Sequence, residues 1–374
     1  MPPPPRSDMT VDPTSRTHRS RGPGERADSA DPAPGWHRGA MRGLVFAIAV
    51  AMAFDLTNGF HDSANAVAAL AATRAARPAA AVALASVFHV LGPLLAGTAV
   101  ADTVGGIVRI DGRDAVAVVG AGLTGALAWN LVTWWRGLPS SSSHALVGAL
   151  AGAALVDSGT GAVRWGGMDG IHPSGVVGVL VALAVSPLLG FGVGALGAKV
   201  SRRAMRRAAR GATSVVLRGE WFTSAALAFS HGANDAQKTM GVVTLLLVAD
   251  GRLDTFAVPL WVKLAAATSL TIGTSLGGWR IVKTMGSGIY RMRPLDGLVS
   301  QGGSAAVILG AAALGAPVST THVVASSVVG VGTEQRWRHV RWAVVREMSL
   351  GWLVTLPAGA MLGAVLVPLW RWFV

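Results

Sequence analysis

Asn58-Gly59-Phe60-His61-Asp62-Ser63-Ala64-Asn65 is followed, 173 positions later, by His231-Gly232-Ala233-Asn234-Asp235-Ala236-Gln237-Lys238. A second pair recurs in the same order at an offset of 178: Pro139-Ser140-Ser141-Ser142-Ser143-His144 and Pro317-Val318-Ser319-Thr320-Thr321-His322. Two unrelated polar motifs repeated in one order at nearly one spacing mark an internal duplication. The sequence around them is strongly apolar, and that contrast decides the fold class.

Of 374 residues, 51% are apolar and 14% charged, whereas a soluble domain carries about a quarter of its residues as charges. The apolar residues come in blocks long enough to cross a bilayer, roughly 20 at a time; Gly175 to Ala198 holds no charge before Lys199. The expected class is an all-α polytopic membrane protein. Apolar segments fall near 43–56, 64–73, 78–100, 114–135, 142–156 and 174–198, then 220–230, 236–249, 256–277, 298–314, 320–332 and 341–373. The shortest adjoin the polar motifs, the pattern of broken helices gathered around a transport site.

The absence of cysteine removes disulfides, thiolate metal sites and cysteine nucleophiles. Net charge is +13, and seven basic residues with no acid lie between Lys199 and Arg218. Nucleic acid is not the expected partner, because no aromatic residues interleave those arginines. A basic stretch between hydrophobic blocks is the positive-inside signal, placing it in the cytoplasm. The expected organisation is a disordered tail over 1–40, a first transmembrane repeat over 41–198, a basic cytoplasmic loop over 199–219 and a second repeat over 220–374. With one basic loop between the copies, each copy crosses an odd number of times, and the repeats are inverted with both termini outside.

Asp62 and Asp235 sit at the same motif position beside membrane-length apolar blocks. A carboxylate there costs on the order of 2.5–3.5 kcal/mol on insertion scales, so it faces a cavity and binds a proton, a cation or a buried base. Asp55 has no acidic counterpart, its match being Ala228; an ancillary and a structural role both stay open. Asn58, His61, Asp62 and Asn65 share one helical face, as do His231, Asn234, Asp235 and Lys238. Gln237 lies beside the second stripe. Lys238 is one of only four lysines, and it either counters an anion or pairs with an aspartate.

Pro139 and Pro317 each precede hydroxyl residues leading into small apolar ones. Proline disfavours helix before it and Ser or Thr caps helix starts, so each run begins a half-helix with free N–H groups and a partial positive charge. Hydroxyls and N–H groups together form an anion site, and two such starts would converge on one tetrahedral oxyanion at the bilayer midplane. His144 and His322 serve there as proton-linked or as hydrogen-bonded helix-end groups.

These paired motifs closely resemble the signatures of the inorganic phosphate transporter (PiT) family, specifically its bacterial low-affinity permeases, over about residues 41–374. The resemblance implies an inverted-repeat secondary transporter, not an enzyme, that imports phosphate with a coupling cation through the plasma membrane of a bacterium. Asp62 and Asp235 would be the coupling-ion carboxylates, with Asn65 and Asn234 close by. Ser141, Ser142, Ser143, Thr320 and Thr321 would hold phosphate oxygens, with His61, Lys238, Gln237, His144 and His322 ancillary. No resident metal or cofactor is expected beyond coupling H+ or Na+, although metal–phosphate complexes are substrates of similar proteins. His61 and Gln237-Lys238 depart from the commoner pattern; a fixed cation at Lys238 would repel Na+, which favours the proton. A homo-oligomer stays open.

The closest alternative is a sulfate permease of the same fold. Sulfate cannot donate a hydrogen bond at neutral pH and phosphate can, so nearby carboxylates favour phosphate. A passive anion channel is a further alternative. An intramembrane hydrolase built on Ser142 or Ser143 with His322 conflicts with the duplication, since a catalytic pair needs one asymmetric site.

Overall fold

The computed structural model describes residues 34–110, 112–169, 172–207 and 212–374. Among these, the first half forms α1 (Pro34–Ala72), α2 (Pro78–Leu95), α3 (Ala99–Gly105), α4 (Gly112–Arg136), α5 (Ser142–Ser158) and α6 (Gly175–Ala204). The second half forms α7 (Ala212–Ala249), α8 (Leu260–Leu276), α9 (Trp279–Lys283), α10 (Pro294–Ala313), α11 (Thr320–Gln335) and α12 (Trp342–Phe373). One short antiparallel hairpin, β1 (Gly167–Asp169) with β2 (His172–Ser174), is the only sheet among the described residues. Among the described residues, five helical stretches are long and apolar enough to cross a membrane: Met41–Ala72, Pro78–Leu95, Asp114–Arg136, Gly175–Arg207 and Trp342–Phe373. The protein is a multi-pass, all-α membrane protein.

The hydroxyl runs begin helices as expected. Ser141 and Ser319 are N-caps whose hydroxyls accept from the backbone N–H of His144 and His322. The helices they start, α5 and α11, have 17 and 16 residues. At 1.5 Å per residue they reach about 25 Å, short of a hydrocarbon core of about 30 Å. The aspartate motifs behave differently. Segments 43–56 and 64–73 join into α1, and 220–230 and 236–249 join into α7, with Asp62 and Asp235 inside unbroken helix. Neither helix contains proline beyond Pro34. The motif's aspartates, asparagines and Lys238 bond to other side chains or to other segments. Thr57, Ser63 and Ser230 donate to carbonyls one turn back in their own helix, and the helical ladder is not interrupted.

Two expected boundaries also shift. Residues 1–33 of the expected disordered tail lie outside the described residues, but 34–40 already belong to α1. The expected loop 199–219 is largely helical, since α6 runs through Ala204 and a 3-10 turn, Met205–Arg207, follows before α7 opens at Ala212. Its arginines and alanines are good helix formers, so the helix continues past the apolar block. Arg202 donates to Asp296 Oδ1 (3.2 Å) and to the Val331 carbonyl (3.1 Å), placing a cation near the end of α11.

The halves are interleaved. α5 packs on α12 and α11 on α6; α2 packs on α7 and α8 on α1; α4 packs on α1 and α10 on α7. Exchanging α1, α2, α4, α5 and α6 with α7, α8, α10, α11 and α12 returns these same pairings. Small residues allow the close crossings. A Cβ on Gly59 would lie 2.2 Å from the Leu270 carbonyl oxygen, and one on Gly232 2.9 Å from that of His89. These two glycines occupy matching motif positions, so each aspartate helix is pressed by its own motif against a helix of the sheltering pair α2 and α8.

Candidate functional site

The crossings bring the four motifs to one buried place between α1, α7 and the starts of α5 and α11. Asp62 lies 2% exposed and Asp235 fully buried. Asp62 Oδ1 accepts from Thr321 Oγ1 (3.0 Å) and faces His61 Nδ1 at 2.9 Å, while Oδ2 accepts from Ser142 Oγ at 3.4 Å. Asp235 Oδ2 accepts from Thr320 Oγ1 and from Asn58 Nδ2, both at 3.3 Å. Asp235 Oδ1 is ion-paired with Lys238 Nζ. Asn65 Nδ2 donates to Thr321 Oγ1 (3.1 Å) and Thr320 Oγ1 (3.4 Å). The start of α11 therefore bridges both aspartates, and the start of α5 reaches Asp62 through Ser142. First-turn N–H groups at Ser142, Ser143, Thr320 and Thr321 precede the first intrahelical bonds and have no helical acceptor.

The remaining expected site residues divide by partner. Ser141 lies at the α5 tip with its hydroxyl engaged as the cap. Ser143 Oγ donates to the Val318 carbonyl (3.2 Å) and Asn234 Nδ2 to that of Ala316 (3.3 Å), together holding the approach to α11. Gln237 accepts from Val100 N (2.9 Å) and donates to the Ala96 carbonyl (3.3 Å), clamping the link between α2 and α3. His144 and His322 stack with ring centroids 4.9 Å apart, backed by Trp352. Lys238, open between two roles in the sequence, pairs with the aspartate. Asp55 is fully buried with neither oxygen hydrogen-bonded, and its ionisable neighbours on α7 are Asp235, Lys238 and His231.

Reliance on the caps gives a first prediction. Ser141→Ala or Ser319→Ala should each cost about 1 kcal/mol and lower the thermal unfolding midpoint of the purified protein by about 1–3 °C. An unchanged midpoint in both variants would show that the tips are fixed by packing alone.

Asp62, His231 and Asp235 each bring one possible ligand atom within 4.8 Å of the others, the only such grouping among the described residues. Lys238 and the ring of His231 already stand against Asp235 in that grouping. Such a site offers hydroxyls and N–H groups as donors and carboxylates as acceptors, all of them buried. That is the donor set for an oxyanion, with ionisable groups placed to balance its charge.

The profile of the family described as "Phosphate transporter family" matches residues 58–219 and 206–363, which takes in every motif just described. The chain belongs to the phosphate transporter family. Its relatives include a "Probable low-affinity inorganic phosphate transporter" of Bacillus subtilis, 39% identical over 86% of this chain and 95% of that protein. Another of the same name from Rhizobium meliloti is 40% identical over the same shares. A solved structure titled "The sodium-dependent phosphate transporter" superposes with a TM-score of 0.80 at 21% identity, over 89% of this chain and all of that one. That likeness shows a shared fold. The family and these relatives are named as transporters, not as enzymes.

Several residues in or behind the site of this family member escape a reading of the sequence. Asn58 and His231 are not among them, since both lie on the polar stripes that the sequence places around the aspartates. Ser140 and Thr133 back His61, at 3.4 and 3.3 Å from its Nε2. His89, alone in the apolar block of α2, and Thr274, on α8, are visible only in the packed protein. The one hint in the sequence was a lone histidine in a membrane-length block.

Proposed function

We propose that this protein imports inorganic phosphate by alternating access, driven by a coupling cation, the proton, with Asp62 and Asp235 as the coupling carboxylates. The observation that carries this reading is the meeting of two hydroxyl-bearing half-helix starts with two buried aspartates, Thr321 on Asp62 and Thr320 on Asp235. An anion seated there gains N–H and hydroxyl donors, and a protonated phosphate can donate back to a carboxylate. Moving an anion beside ionised aspartates through a low-dielectric core meets a barrier of several kcal/mol. Loading a proton lowers that barrier, so phosphate and proton reorient together.

Proton rather than sodium coupling is supported by Lys238, whose ammonium holds Asp235 and repels a second cation. The relatives named above are called inorganic phosphate transporters, and the exchange pattern of the packing supports two repeats, which we read as inverted about the membrane plane. The basic stretch from Lys199 is read as cytoplasmic on the positive-inside rule, with the protein in a bacterial plasma membrane.

The test is uptake of labelled phosphate into proteoliposomes under imposed proton or sodium gradients, with and without divalent metal. A proton gradient should drive accumulation and a sodium gradient should not. Drive by sodium alone, or no accumulation against a phosphate gradient, would overturn the coupling. Complete competition by sulfate would overturn the choice of phosphate.

A further inference from the structure

Behind the aspartates runs a buried chain of three side chains, outside the proposed phosphate contacts, that ends on Asp235. Thr274 Oγ1 lies 2.7 Å from His89 Nδ1, and His89 Nε2 lies 2.8 Å from His231 Nδ1. His231 Nε2 lies 2.8 Å from Asp235 Oδ2. All four residues are fully buried. The chain belongs to one half only: at the matching motif position Asn58 stands opposite His231.

Two proton arrangements fit these distances. With both rings neutral, Thr274 donates to His89 Nδ1, His89 Nε2–H donates to His231 Nδ1, and His231 Nε2–H faces Asp235. With one more proton on the histidine pair, Thr274 donates to the Leu270 carbonyl at 2.9 Å and accepts from His89 Nδ1–H, while His89 Nε2 accepts from His231 Nδ1–H and His231 Nε2–H still faces Asp235. The pair therefore takes up a proton without moving a heavy atom.

We infer that His231, positioned by His89 and Thr274, is where the coupling proton resides. The inference rests on the proposed proton coupling and goes further by naming the group. Release runs toward the site: His231 passes its Nε2 proton to Asp235 Oδ2, which hands it to the bound hydrogen phosphate. The pair is left neutral, with the Thr274–His89–His231 hydrogen bonds intact. The ionisable groups facing the pair are Asp55 and Asp62 from α1 and Asp235 and Lys238 from α7; α8 presents Thr274 and, among the described residues, no ionisable group at this contact.

The experiment uses full-length protein in proteoliposomes loaded with a pH-reporting dye. It reads phosphate counterflow at equal pH, proton entry per phosphate, and the pH profile of uptake. His89→Phe should keep counterflow within about threefold while lowering proton-driven accumulation at least about tenfold. Thr274→Val, nearly isosteric, removes the acceptor that favours the loaded form, so the pH midpoint of uptake should move to the acid side by up to about one unit. Wild-type proton-to-phosphate ratio and pH profile in both variants would overturn the inference. If His89→Phe loses counterflow as well, the Thr274→Val profile alone decides. A wild-type protein that moves no protons with phosphate would instead sink the coupling reading itself, before any variant is measured.

Discussion

Asp62→Asn is expected to reduce proton-driven phosphate uptake by about 100-fold or more. The carboxylate sits at the centre of the site, accepting from Thr321 and Ser142 and facing His61. Hydrogen bonds to a charged group contribute about 1.5–3 kcal/mol each. An amide keeps one acceptor oxygen but turns an NH2 toward groups that are themselves donors. The negative charge that a proton must offset is also gone, so loading no longer alters the barrier to reorientation. Asp62 makes the cleaner test of the two aspartates, because Asp235 also neutralises Lys238. Removing one partner of a buried ion pair costs about 3–5 kcal/mol in stability, so loss of uptake in Asp235→Asn must be read beside its thermal unfolding. Uptake of labelled phosphate at the wild-type rate in Asp62→Asn proteoliposomes would remove this residue from the mechanism.

Gly59→Leu should prevent recovery of a folded, monodisperse protein. A Cβ at Gly59 would lie 2.2 Å from the Leu270 carbonyl oxygen, 2.9 Å from Thr274 N and 3.0 Å from the Gly273 Cα. All three are backbone atoms of α8 and cannot move aside by changing rotamer. Overpacking against side chains costs about 1–3 kcal/mol, and separating two helices along a crossing exceeds that range. The same crossing sets Thr274 where it can reach His89, so the damage extends to the site. Gly192→Ala in α6 and Gly310→Ala in α10 are the controls, since nothing lies within 4 Å of a Cβ at either position. Both should be neutral or stabilising by up to about 1 kcal/mol through helix propensity. Size-exclusion profiles and thermal midpoints read all three. A Gly59→Leu protein that elutes and melts like the wild type would show that the crossing is not held at that distance.

Much of this protein could be read from residue order. The hydrophobic blocks required membrane helices, because about 20 apolar residues have no other stable home. Proline followed by hydroxyls required new helix starts at Ser142 and Thr320, a local matter of φ angles and caps. Duplication of the aspartate motif pointed to one shared site. Segment joins were misread at that motif, because polar residues look like helix breaks in a hydropathy profile yet leave the backbone ladder of α1 and α7 intact. The basic stretch after Lys199 read as a loop for a related reason: charge reports distance from lipid, not loss of helix.

Tertiary packing alone decided the partners. That Thr321 meets Asp62 and Thr320 meets Asp235 depends on how the second half's tip inserts between α1 and α7, a contact across about 85 to 259 positions of chain. Lys238 is the exception, since Asp235 lies three residues away on the same face of α7 and helix geometry alone brings the two within reach. His89 carried no motif at all. Its meaning comes from Gly232 and Gly92, which let α2 and α7 approach until two imidazoles touch. Local sequence sets the conformation of each helix, because capping and helix hydrogen bonds act within a few residues. The buried charge pairs at the aspartates are likewise local to α1 and α7, whereas the hydroxyl and amide donors that complete each aspartate's shell arrive through crossings between distant helices, some of them from the other half.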